Sequence, residues 1–485
     1  MTDSNRVRVA TTRESTLGTA ASTRFRTARI TGETVKFVPK LFTPGEIRPD
    51  RMSADPTVIN QENSGALNFE WSWPTDNSSL SDILQSAFFS LWNNAPVRDN
   101  DGTAASVITS VTVTTNVVVV TTGTAFAVGH LVRTTGFGLS ANNGINRITT
   151  GGATSFICSG ATYATEASPA AAARAKVVGF QGVAADITAT ATGLGSAALN
   201  FTTLGLAVGQ WIKIGGTAAG DKFATSALND WARITAIAAN ALTLDNLPTG
   251  WTTDAGTGKT IKVWFGDYIR NGTTFNSIQI ERAFLDQAIP TYILQRGMVV
   301  SGLSHDFSTE AACTGVADFI GMAGAAGTSA NGASYDAAQT TLVLTGNVGV
   351  GRIAENGVAL ATPNWVRSLK FQLANNVRML TAIGTVGAAS LGVGEIGVTG
   401  TVETYFGSNA LLTKLMAGTV SNLNARLAVN SQALTWTFPR VTFSDGSPNA
   451  GGKNQDVILP LSFITSYDPV TAAEICLDRH EYFEV

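Results

Sequence analysis

The chain has 485 residues, of which 14 % are charged and 44 % hydrophobic; 35 acidic against 32 basic side chains leave a net charge of −3. That balance excludes a bulk polybasic nucleic-acid binder and an acidic disordered tail, and the length guarantees a large core shared among several domains. Forty-nine glycines, an abundance of Thr, Ala, Ser and Val, and few charge pairs at helical spacing point to β-structure with many turns.

In chain order, the first 29 residues carry Arg6, Arg8, Arg13, Arg24, Arg26 and Arg29 among Ser and Thr. The composition mimics a transit peptide, but Asp3 and Glu14 interrupt it and no apolar helical face or signal-peptide core follows. Phosphate binding needs clustered cations with stacking aromatics, and only Phe25 interleaves here, so a solvated or partner-contacting arm is expected. The run Gly65-Ala66-Leu67-Asn68-Phe69-Glu70-Trp71 alternates like a strand and leads into helical spacing at Ile83, Leu84, Ala87 and Phe88. Ala95 to Gly102 reads as an exposed loop edge at which other chain is inserted.

The inserted chain is itself repeated. Phe126-Ala127-Val128-Gly129-His130-Leu131-Val132-Arg133 returns as Leu206-Ala207-Val208-Gly209-Gln210-Trp211-Ile212-Lys213. Arg147-Ile148-Thr149 returns as Arg233-Ile234-Thr235, and Lys176-Val177-Val178 as Lys262-Val263-Trp264, with 29 residues from Arg to Lys in both copies. Residues 103–183 and 186–268 are therefore expected to be two copies of one small β-module. Tyr268 to Thr274 is the second edge of the insertion.

After it, Ser277 to Glu281 is expected to pair with Tyr292 to Leu294 and Met298 to Val300, and Gly321 to Ser334 reads as a flexible loop or linker. Gly400-Thr401-Val402-Glu403-Thr404-Tyr405-Phe406 then echoes Gly65 to Trp71, again before a helical stretch with Leu411, Leu412, Leu415 and Met416. Leu423 to Leu427 is expected to pair with Leu434 to Trp436 and Val441 to Phe443. The chain thus reads as one α+β unit written twice: 1–100 plus 270–345, and 346–485.

Motifs of catalysis and cofactor binding fail on context. Gly258-Lys259-Thr260 ends like a phosphate-cradling loop, but Thr253 stands where a glycine is needed and a strand-like run follows in place of a helix. Gly193-x-Gly195 and Gly349-x-Gly351 have no βαβ surroundings. His130 is replaced by Gln210 in the second module, and His305-Asp306 has no accompanying metal-binding histidines, so each histidine is expected to be a surface or core polar group. Three cysteines (Cys158, Cys313, Cys476) far apart form neither a zinc site nor a disulfide framework, and no apolar run spans a bilayer. The expectation is no catalytic, cofactor-binding or metal site and no membrane anchor. A glycosidase-like carboxylate pair stays open, because sequence alone does not bring carboxylates together.

The flanking parts resemble the major tail tube proteins of long-tailed siphophages. The resemblance rests on Arg13-Glu14-Ser15-Thr16-Leu17-Gly18-Thr19, Ile30 to Val35, Gly45 to Arg51, Gly65 to Glu70 and Asp82 to Ala87. It continues in Gly400 to Phe406, Pro439-Arg440-Val441, Gly451 to Val457 and Leu477-Asp478-Arg479. It implies a mainly β fold, with two tandem tail-tube-like β-sandwich or barrel units, each with a short helix, plus the two inserted β-modules. It also implies a virion component made in the host cytoplasm, stacking in rings around a lumen through which DNA passes without specific binding. Tape-measure, tail-tip and terminator proteins would be its partners. Segments Pro39 to Gly65 and Asp445 to Asp456 would be arms reaching the next ring, and the lumen should not be positively lined. Two units per chain imply trimeric, pseudo-hexameric rings with the modules 103–268 outside. The alternative is a capsid decoration protein or an extracellular adhesive β-protein.

Overall fold

The computed structural model describes residues 3–20, 23–101, 107–160, 162–347 and 349–485. Gly102 and residues 103–106, at the expected opening of the first module, lie outside the described residues. The fold is mainly β, with 47 % of residues in strands and 6 % in helices. A 19-stranded sheet, a 13-stranded sheet and a two-stranded hairpin hold the strands.

Eight strands of the larger sheet set the architecture: β1 Lys36–Phe42, β2 Thr57–Glu70, β3 Thr291–Ser308, β4 Thr314–Gly321, β5 Val366–Ala374, β6 Gly397–Tyr405, β7 Gln432–Gly446 and β8 Ile458–Thr465. All are antiparallel to their neighbours, and they lie side by side in the order β1-β2-β4-β3-β5-β6-β8-β7. The order is one four-strand block followed by a second with the same connectivity, joined where β3 meets β5.

The register repeats as well as the order. Leu67 faces Ala317 as Val402 faces Leu461, and Phe37 faces Asn63 as Leu373 faces Val398. One irregularity coincides as well: the bulge between Val300 and Gly302, opposite Phe319 and Asp318, recurs between Phe443 and Asp445, opposite Phe463 and Ser462. A bulge bends a strand at a set point, so the two blocks curve alike.

Outside the eight, each block adds a helix and two strands in the same chain positions. Helix α1 (Ser79–Phe88) precedes strand Ile278–Phe284, which pairs with β3 and with Val7–Arg13; helix α2 (Ala410–Ala417) precedes Val420–Val429, which pairs with β7 and with Val350–Glu355. The helices differ in setting. All ten residues of α1 are buried, Ser78 caps it by accepting from the Ser81 N–H at 3.2 Å, and Phe89 ends it in the left-handed region. In α2 only Leu411 is buried, Met416 is 81 % exposed, and Gly418 takes the left-handed position at no steric cost.

The 13-stranded sheet spans Val97 to Trp264 and is built about one central antiparallel pair, Arg174–Gln181 with Lys262–Trp264. Outward from the first run His130–Thr135, Gly144–Thr150, Ser155–Ser159, Val117–Val120 and Ile108–Thr112. Outward from the second run Trp211–Ile214, Trp231–Ile237, Ala241–Asp245, Gly193–Gly195 and Thr188–Thr190. The two series match strand for strand. They bury one shared apolar cluster, with Val132, Ile148, Val177 and Phe180 on one side and Ile212, Ile234 and Val263 on the other.

Three expectations need correction. Ala95 to Gly102 is expected as an exposed edge, but within its described part, Ala95 to Asp101, Val97–Asp99 pairs with Arg174 to Lys176, and Ala95, Arg98 and Asn100 are buried. Tyr268 to Thr274 likewise begins within a strand, Asp267–Arg270, which pairs with Cys476–His480. Gly321 to Ser334 is no flexible linker, because Ala323–Gly327 lies along β3. Its small residues answer to packing: a Cβ on Gly324 would lie 2.7 Å from the Phe37 ring.

Candidate assembly surface

The eight-stranded sheet has one apolar and one polar face, as alternation requires. Leu67, Phe69, Leu303, Phe307, Phe319, Leu369, Phe371, Leu373, Val402, Leu461 and Phe463 point into a core shared by both blocks. The opposite face carries Glu62, Glu70, Asp306, Asp318, Glu403 and Asp445 against Lys36, Lys40 and Lys370. With Arg440, which alternates with the inward Val441 and Phe443 and so shares that face, it is acidic by six to four, and Ser304, Thr314, Gln372, Thr399 and Thr401 fill it with neutral polar groups.

The joint between the blocks is a regular ladder. Gly302 to Ser308 of β3 pairs with Ala374 to Ser368 of β5. Asn375 N–H donates to Ser301 O at 2.9 Å and Thr309 N–H to Arg367 O at 3.2 Å, and Lys370 meets Asp306 across it at 2.9 Å. The sheet's two outer edges, β1 and the end of β7, have no strand on their far side among the described residues. Beyond β1, Leu41, Phe42, Ile47, Met52, Val58 and Ile59 stand exposed at the end of the β1–β2 hairpin.

Where the modules meet the larger sheet, a buried ion cluster forms. Asp267 accepts from Lys176 Nζ at 2.5 Å, from Arg479 Nε and Nη2 at 3.1 and 2.8 Å, and from the Ala95 N–H at 2.9 Å. Asp76 binds Arg174, Lys176 and Arg479, and Glu481 binds Arg174. Burial alone would raise the Asp76 carboxyl, but Lys176, Arg479 and Arg174 hold it below the usual carboxylate range, and Glu481 is lowered by the same module cations. Residues far apart in sequence thus meet as mutual counter-ions, and no local motif announces them.

The same applies to the arginine-rich start, which is not a solvated arm. Val7–Arg13 is a strand in the large sheet, Arg8 pairs with Glu281, Arg26 with the buried Asp82 at 2.6 Å, and Arg24 with Asp336. Its counter-charges come from segments that sequence order hides.

The histidines, Lys259 and the cysteines each take a place within the packing or the backbone hydrogen-bond network. His305 lies flat between Trp71 and Phe371 (5.0 and 4.0 Å between ring centres), both ring nitrogens lack a partner, and burial pushes its pKa down to about 3. Asp306, its neighbour in sequence, points to the opposite face. His130 serves a turn: its Nδ1 accepts from Ala127 N–H at 2.9 Å, as Gln210 Oε1 accepts from Ala207 N–H at 3.1 Å in the second module. An amide and an imidazole are interchangeable there because each offers an acceptor to the turn and a nitrogen to a backbone carbonyl, Leu204 O for His130 and Gly266 O for Gln210. His480 is buried against Trp231 with its Nε2 on Trp211 O. Lys259 donates to Ala219 O at 2.8 Å, on a loop followed by a strand. Cys158, Cys313 and Cys476 are buried free thiols. Among the described residues no cluster of three or more His, Cys, Asp or Glu could hold a metal ion, and no helix is long and apolar enough to cross a membrane.

No curated protein matches the chain. A family match exists over residues 233–464, just under half the chain, starting inside the second expected module and covering β3 and β4 of the first block and the second block from β5 into β8. The family is described as phage tail tube protein, so the match bears out the resemblance read from the sequence and supports a structural role of the tail tube type.

Proposed function

We propose that the chain is the repeating subunit of a long-tailed phage's tail tube, stacking in rings around a lumen that conducts DNA, and that it is not an enzyme. One observation carries the proposal. A four-strand block occurs twice, in the same order and register, and its copies are already joined edge to edge within one chain. An edge strand is a hazard to a monomer and an assembly surface in a closed ring.

Two blocks per chain make three chains the equivalent of six units, so the rings are trimers with pseudo-sixfold symmetry. The acidic face lines the lumen, where like charge keeps DNA from adhering. The exposed apolar end of the β1–β2 hairpin reaches the adjacent ring, and the paired modules, on a sheet of their own, decorate the outside. Tape-measure, tail-tip and terminator proteins meet the tube at its interior and ends.

Sedimentation of concentrated protein with electron microscopy of the pellet tests this. Hollow tubes of uniform bore are expected. Monomers that persist even with a tail-tip complex supplied as nucleus would overturn the tube and favour an adhesive β-protein.

A further inference from the structure

The internal joint is a template for the external one. By the shared register, Val300 corresponds to Phe443 and Gly302 to Asp445, while Leu373 corresponds to Phe37 and Ala374 to Val38. In the chain, Gly302 pairs with Ala374, Leu303 with Leu373 and Ser304 with Gln372. Transposed by these correspondences, Asp445 faces Val38, Gly446 faces Phe37 and Ser447 faces Lys36. These are the two edges that no strand covers among the described residues.

We propose that Lys36–Pro39 of one copy pairs antiparallel with Ser444–Ser447 of a second copy, in that register, repeating between chains the β3–β5 joint within each. This rests on the tube reading and adds the edges and register of ring closure.

Three features fit a second copy of this chain as the occupant. Ser444, Asp445 and Ser447 are exposed, and the Gly446 N–H, without a strand partner, turns back to its neighbour's Asp445 Oδ1 at 2.8 Å. Charge is complementary: Lys36 and Lys40 flank Val38 on the polar face, opposite Asp445, as Lys370 meets Asp306 across the internal joint. Prolines bound the pairing. Pro39 corresponds to Asn375, whose N–H spans the internal joint, and Pro448 to His305, so each edge loses a donor just where the four-residue ladder ends. A short ladder closed at both ends fixes register and discourages indiscriminate strand addition.

Gly302 and Ala374 sit between hydrogen-bonded pairs of the internal ladder, so Val38 and Asp445 inherit a non-hydrogen-bonded position, whose close Cβ atoms suit a disulfide. The test is Val38→Cys with Asp445→Cys in the full chain, assembled, oxidised and run on a non-reducing denaturing gel. The native thiols are buried and give little background. Gly302→Cys with Ala374→Cys, at the equivalent internal pair, is the positive control and links within one chain. Dimer and trimer bands ending at the trimer are expected, at about tenfold the yield of the out-of-register pair Val38→Cys with Ser447→Cys. Tubes that form without a Val38–Asp445 link would overturn the joint and leave the tube reading standing. Neither tubes nor links would overturn both.

Discussion

Asp267→Ala is the sharpest perturbation of the module root. Asp267 is fully buried and accepts four hydrogen bonds, two from Arg479 and one each from Lys176 and the Ala95 N–H; the two cations are 0 % and 1 % exposed at the side chain. Removing one partner of a buried pair leaves uncompensated charge, which costs about 3–5 kcal/mol. Asp76 still reaches both cations, so a loss of about 3 kcal/mol, the low end of that range, is expected. Asp267→Asn keeps an acceptor for Ala95 but loses the charge, and about 2 kcal/mol is expected from the charged hydrogen bonds it weakens. Urea unfolding of dilute protein followed by tryptophan fluorescence suits the measurement, since Trp92 and Trp73 lie 4.2 and 5.5 Å from the Arg479 guanidinium. Proteolysis near residues 95–102 should accelerate in parallel. A loss below about 1 kcal/mol for Asp267→Ala, the range of an exposed pair, would refute the claim that these charges fasten the modules to the sheet.

Other outcomes follow from the same geometry. Asp478 is buried with one carboxylate oxygen unpartnered, and burial, opposed by Arg270, pushes its pKa up to about 7. A raised carboxyl keeps a proton that the unfolded chain has lost, so its contribution to stability falls as pH rises from about 4 to 7; Asp478→Asn should be more stable than the parent at pH 8, with the gap closing by pH 4 in matched melts. Asp76 and Glu481 are lowered, so their contribution is present above the usual carboxylate range and is lost as pH falls below it. Parent protein should therefore lose stability more steeply than Asp76→Asn, which lacks one of the two lowered carboxyls, in urea titrations carried down from pH 5. His305→Phe removes two unpartnered buried nitrogens from an aromatic stack and should stabilise the fold by about 1 kcal/mol in calorimetry. Excising the modules, expected at 103–268, should leave tube formation intact. The better cut is 96–265, because Asn93 and Tyr268 already exchange backbone hydrogen bonds and Asp267–Arg270 belongs to the larger sheet. A well-folded excised protein that fails to polymerise contradicts the decoration reading.

Much of this was legible in short segments. The echo of Gly65 to Trp71 in Gly400 to Phe406 marks equivalent positions of β2 and β6, and the helical spacing after each falls on α1 and α2. The pairing of Ser277 to Glu281 with Met298, and of Leu423 to Leu427 with Leu434 to Trp436, also appears in the sheet. What escaped was long-range. Arg8, Arg26 and Arg24 find their carboxylates 56 to 312 residues away, so their run looks like a free basic arm. Gly321 to Ser334 looks flexible because glycine and alanine report backbone freedom, whereas here they report the close approach of Phe37. The assembly surface was invisible because alternation labels two faces without saying which is buried. Only the register of eight strands, with the same bulge at Val300 and Phe443, discloses a unit made twice and the edges left over.

The central claim is that each chain supplies two equivalent units to one ring. Electron cryomicroscopy of assembled tubes, with symmetry determined from ring averages, tests it most directly. Threefold rings of whole chains are expected, with inner walls that approach sixfold symmetry and three outward projections formed by the paired modules. Rings of six whole chains would contradict it.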